Sequence, residues 1–114
     1  MSVGERSPDV DSRGWVVIRL DGEIDLARAE ELRDMFESEW RRQGPGVIVD
    51  FTPVTFMDST GLGWLFRMES DVTIEGGQLR LVISDGPVRR LLELSGLGDR
   101  FQLYPNLEAA YTAG

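Results

Sequence analysis

The chain has 114 residues, 41% hydrophobic and 28% charged, which fits one compact soluble domain spanning 1–114 and leaves little room for a second. It has no His, no Cys and no Lys, which excludes a Ser-His-Asp triad, a thiol nucleophile, an ordinary zinc site, Schiff-base chemistry and a phosphate-loop lysine. The net charge of −8 argues against nucleic acid and anionic membrane as partners, and no apolar run approaches the ~18 residues of a membrane span. The N-terminus carries no hydrophobic signal core, so the expected compartment is the cytoplasm.

Residues 1–14 mix Gly, Pro, Ser and alternating charges, and read as a loose lead-in with room for a short edge strand around Asp9 to Asp11. Trp15 to Leu20 is β-branched and aromatic, a strand that Asp21-Gly22 stops. From Leu26 the period changes: Leu26, Ala29, Leu32, Phe36 and Trp40 recur at helical steps, predicting an amphipathic helix capped by Asp25 and ended by Gly44-Pro45-Gly46. Val47 to Phe51 is almost continuously apolar, as in a strand covered on both faces. A loop, TPVTFMD, leads to a second helix opened by Asp58 or Ser59 and carrying Leu62, Leu65, Phe66 and Val72. Its tail, DVTIEGG, has poor helix formers and is expected to fray before Gly76-Gly77.

Leu79 to Ile83 reads as a strand. Ser84-Asp85-Gly86-Pro87 starts a helix with Val88, Leu91, Leu92 and Leu94 on its apolar face, closed by Ser95-Gly96. Phe101 to Tyr104 is a last strand, and Asn106 caps a final helix. Strict alternation of strand and helix implies an α/β fold with a largely parallel sheet and right-handed crossovers. Whether the helices cover one face or both stays open.

Chemistry concentrates in Phe56-Met57-Asp58-Ser59-Thr60-Gly61-Leu62-Gly63, where two hydroxyls and a carboxylate meet a helix N-terminus. The helix dipole and free N–H groups there tolerate an anion such as a phosphoryl group, while Asp58 would repel it. Asp58, Ser59 and Thr60 are equally ordinary helix caps, and Asp25 has the same double reading. Loops after successive strands often emerge on one sheet edge, so Glu23, Asp25, Asp58 and Ser59 could share an acidic surface. Spacing alone shows no metal convergence. Trp15, Trp40 and Trp64 suit packing, and the Arg41-Arg42 and Arg89-Arg90 pairs suit solvated helix faces.

Three blocks, GEIDLA at 22–27, VIVDFTPVTFMDSTGLG at 47–63 and GGQLRLVISDGPVRRLLELSGL at 76–97, resemble the STAS domain family in order and spacing. The resemblance covers about residues 15 to 112, and its most specific part is the D-S-[ST]-G-L-G core. It implies a STAS-type fold, a mixed and mostly parallel sheet of four to five strands with about four helices. It also implies the freestanding bacterial kind, an anti-sigma factor antagonist, as a monomer or weak dimer. In such proteins the unphosphorylated antagonist binds an anti-sigma factor serine kinase and frees the sigma factor. That kinase binds the ATP and phosphorylates the serine after the motif's Asp, here Ser59, with Thr60 the lesser candidate; a PP2C-type phosphatase reverses it. Partner contacts are then expected at Glu23, Asp25, Met57, Asp58, Ser59, Thr60, Gly61 and Leu62, with no cofactor, metal or catalytic residue in this chain. The alternative is a STAS scaffold in a larger signalling or transport assembly, with Ser59 only a cap. A hydrolase using Ser59 lacks a His or Lys base.

Overall fold

A computed structural model describes residues 9–10, 14–40 and 45–113. In chain order it contains β1 (Asp9–Val10), β2 (Val16–Arg19), β3 (Gly22–Ile24), α1 (Leu26–Trp40), β4 (Gly46–Asp50), β5 (Val54–Met57), α2 (Ser59–Ile74), β6 (Gln78–Val82), α3 (Pro87–Leu94), β7 (Gln102–Tyr104) and α4 (Leu107–Thr112). Five strands form one sheet in the order β1-β2-β4-β6-β7, with β1 antiparallel to β2 and every other pair parallel. This is the α/β architecture with four helices that alternation implied.

Strand residues alternate between two apolar layers. Val16, Ile18, Val47, Val49, Leu79 and Leu81 join the larger cluster, with Leu32 of α1, Leu65 and Met68 of α2, and Val88 and Leu92 of α3. Val17, Ile48 and Val82 point into a smaller cluster with Trp15 and Ala110 of α4. Helices therefore cover both faces, which explains why every residue of β4 is buried. On the α4 face lies a buried cation, Arg80, 3% exposed. It donates to the Ala110 carbonyl at 2.6 Å and stacks over Trp15 at 4.5 Å, so its burial is offset by specific contacts.

The structure corrects four expectations. TPVTFMD is not wholly a loop: β5 lies within it and pairs in parallel with β3 as a separate two-stranded sheet. Gly22 likewise ends no strand run; after a break at Leu20 and Asp21 it begins β3, with φ of 71°. Helix α2 does not fray at Asp71 but runs to Ile74, because Val72 is fully buried and packing outweighs weak propensity. What stops it is Gly76 at φ 88°, where Gly76 N–H donates to Thr73 O and Gly77 N–H to Val72 O, both at 2.9 Å. Lastly, Leu94 is 81% exposed, since only Val88, Leu91 and Leu92 fall on the inward stripe of α3.

The caps agree with the sequence reading. Asp25 Oδ1 accepts from Arg28 N–H at 3.1 Å, and Asn106 Oδ1 from Ala109 N–H at 2.8 Å. Trp15 and Trp64 are each 5% exposed, as packing residues. Of the arginine pair on α3, Arg90 is exposed, but Arg89 is half-buried and donates to Ile83 O at 3.3 Å. Asp11, Gly44, the Arg41-Arg42 pair and the side chains of Leu26, Phe36 and Trp40 lie outside the described residues. Among the described residues no helix is long and apolar enough to cross a membrane.

Candidate functional site

The small β3–β5 sheet builds the site. Its register pairs Glu23 with Phe56 and Ile24 with Met57, so the next residue of each strand, Asp25 and Asp58, begins a helix at the same end. Paired strands thus launch neighbouring helices, and α1 and α2 pack against each other. The inward residues of this unit are Ile24, Val54 and Met57, all buried. Gly22 N–H is tied to Pro53 O at 3.2 Å. The loop ahead of β5 is set by Asp50, 2% exposed, which accepts from Thr52 N–H at 2.9 Å, from its hydroxyl at 2.7 Å, and from Arg19 Nε at 3.1 Å. Arg28 clamps the other loop, donating to the carbonyls of Asp21 and Glu23 at 3.1 and 3.3 Å.

Asp58 is the N-cap of α2: Oδ1 accepts from Thr60 N–H at 2.9 Å and Gly61 N–H at 3.4 Å. Its carboxylate is therefore committed to the helix start. Asp58→Ala is expected to lose about 1 kcal/mol in urea unfolding, while Asp58→Asn keeps most of the stability because Asn caps equally well. An equal loss for both would assign the effect to charge and not to capping.

Ser59, the next residue, is exposed, and its hydroxyl has no hydrogen bond to any described residue. Glu23 and Asp25 are exposed beside it, and Asp58 and Thr60 are half-buried. The shared edge expected for Glu23, Asp25, Asp58 and Ser59 is thus what the β3–β5 register produces. Met57, Gly61 and Leu62 are buried and shape this edge from beneath. Gly61 has a specific reason: a Cβ there would collide with Met57 Cγ and lie 3.4 Å from Ile24 Cγ2. Among the described residues no group of three or more carboxylates is placed to hold a metal ion.

Sequence reasoning did not single out Phe56. It is 47% exposed on β5, opposite Glu23, an apolar surface three residues before Ser59. Simple strand alternation does not reveal it: along β5 Val54 and Met57 are buried while the two residues between them, Thr55 and Phe56, are exposed.

Known proteins share this fold. Residues 5–110 match the family model of the STAS domain. The chain is 34% identical over 101 residues to the anti-sigma F factor antagonist of Paenibacillus polymyxa, covering 88% of this chain and 86% of that protein. The crystal structure of an anti-sigma factor antagonist from Mycobacterium paratuberculosis is similar with a TM-score of 0.81 at 30% identity, over 92% of this chain and 88% of that one. The Bacillus cell fate determinant SpoIIAA in its phosphorylated form is similar with a TM-score of 0.69 at 26% identity, over 92% and 96%.

Proposed function

The chain belongs to the STAS domain family, and from that premise we propose that it is an anti-sigma factor antagonist switched by phosphorylation of Ser59. The observation that carries this reading is the Ser59 hydroxyl, exposed and unengaged at the first position of α2, directly after the capping Asp58. A relative solved in phosphorylated form supports it. In this reading the unphosphorylated domain binds an anti-sigma factor that is also a serine kinase, which supplies ATP and the catalytic groups. The chain supplies one hydroxyl and a shaped edge. Transfer replaces that hydroxyl proton by a phosphoryl group, adding about −1.5 to −2 charge units beside Glu23 and Asp25. A PP2C-type phosphatase resets the switch.

The test is a pull-down from the source cell's extract with and without ATP, followed by phosphopeptide mass mapping. The expected result is an anti-sigma factor kinase retained without ATP, released with it, and phosphate on Ser59. Phosphate on Thr60 or elsewhere would overturn the Ser59 assignment. Stable, ATP-insensitive recovery of a non-kinase partner would replace the switch by a scaffold role.

A further inference from the structure

Between α1 and α2 lies an open groove of about 300 Å³ that begins at Thr60, the residue after the acceptor serine. Its two helix walls carry small residues, Ala29 on α1 and Gly63 on α2. Gly63 is the informative one. Glycine inside a helix costs about 1 kcal/mol relative to Ala. At Gly61 the fold needs that absence of side chain, but a Cβ at Gly63 would meet nothing within 4 Å. Among the described residues nothing uses the space that Gly63 leaves, and glycine is the residue that lets another molecule approach a backbone closely.

The charges around the groove point the same way. Arg33 and Arg67 both line it, and neither makes an ion pair or hydrogen bond with any described residue. By contrast Arg19, Arg28, Arg89 and Arg100 are all paired with carboxylates. In a chain of net charge −8, two guanidiniums on one groove with no partner among the described residues favour an anionic occupant. Glu30 also lines the groove, unpaired with either arginine, and its charge opposes a densely anionic ligand such as a polyphosphate. A single carboxylate beside small or apolar side chains fits better. Trp64 adds an aromatic wall, and its buried indole N–H has no acceptor among the described residues.

We propose that this groove receives an acidic segment of the same anti-sigma factor that engages Ser59, with a carboxylate held between Arg33 and Arg67 and the chain close against Gly63. The inference rests on the function proposed above. Continuity argues for that partner, because Thr60 belongs to the groove and follows Ser59, so a protein covering the hydroxyl also covers the groove's mouth. The partner thereby meets an acidic edge at Glu23 and Asp25 and a cationic groove at Arg33 and Arg67, a bipolar pattern that fixes its orientation.

The test measures binding of the purified anti-sigma factor, identified by the pull-down, to unphosphorylated wild type, Arg33→Gln/Arg67→Gln and Gly63→Leu, each with a thermal melt. Both variants are expected to bind about tenfold or more weakly, and the double variant also to show a flatter salt dependence, with melting temperatures at or above wild type. Wild-type affinity in both variants would overturn the groove while leaving the Ser59 switch intact. Weakened binding together with phosphorylation still confined to Ser59 would support both. If wild type binds no kinase, the functional reading fails. The groove proposal then falls too, unless an identified acidic partner is lost from the two variants alone.

Discussion

Ser59→Asp is expected to bind the anti-sigma factor at least ~100-fold more weakly than wild type, whereas Ser59→Ala stays within about threefold and accepts no phosphate. The asymmetry follows from what each change asks of the interface. Ser59 is exposed directly after the Asp58 cap and three residues beyond the Phe56 surface, with Glu23 and Asp25 on the same edge. Covering Phe56 with a partner strips water from its neighbours. A neutral hydroxyl or a methyl group gives up little, while an added carboxylate must be desolvated without a counter-charge, a cost of several kcal/mol. Calorimetric titration of the two variants against the unmodified protein checks this. Equal affinities for Asp and Ala would rule out release by charge, and would leave the phosphoryl group acting by bulk alone.

Gly61→Val is expected to lower stability by about 3 kcal/mol and the melting temperature by roughly 10 °C or more. Gly61 is buried in the first turn of α2, and a Cβ there would run into Met57 Cγ with Ile24 also in contact. Met57 is itself 4% exposed and Ile24 fully buried, so neither has open space to move into. They are register partners of the β3–β5 pair, so the displacement is felt where both helices begin. The contrast with Gly63 makes the prediction specific: Gly63→Ala should raise the melting temperature, because it gains helix propensity and meets no atom. Thermal unfolding by circular dichroism decides it, and a Gly61→Val melt within ~2 °C of wild type would show that Met57 yields freely.

Features written in short-range pattern were legible. The apolar runs of β2, β4 and β6, the helical period of α1, and the caps Asp25 and Asn106 are all local signals, and the structure realises each. The start of α2 was legible as well, because Asp58-Ser59-Thr60 before an apolar helical face is a strong start signal. What escaped depends on partners far along the chain. Neither Gly22–Ile24 nor Val54–Met57 is long or apolar enough to declare a strand alone; each becomes one through the other. The extension of α2 through Asp71–Thr73 needs the buried site that receives Val72. Arg80 falls inside the Leu79–Ile83 run, and only the α4 face shows that its guanidinium is enclosed. The groove was invisible because it needs α1 and α2 side by side.

The β3–β5 pairing has a consequence for when the edge around Ser59 first exists. It joins residues 22–24 to residues 54–57, so this hydrogen-bonded unit closes only after α1 and β4 have been laid down between them. Contacts of such long sequence separation form late and cannot be reproduced by a short stretch of chain. A kinase acting on Ser59 as proposed would therefore address it through a conformation, and its flanking residues would be no portable label. A synthetic segment around Ser59 or a denatured copy would each display the hydroxyl without the edge that β3 and β5 build. Under the function proposed above, quality control would be built into the signal: only a molecule that has finished folding would present Ser59 on that edge.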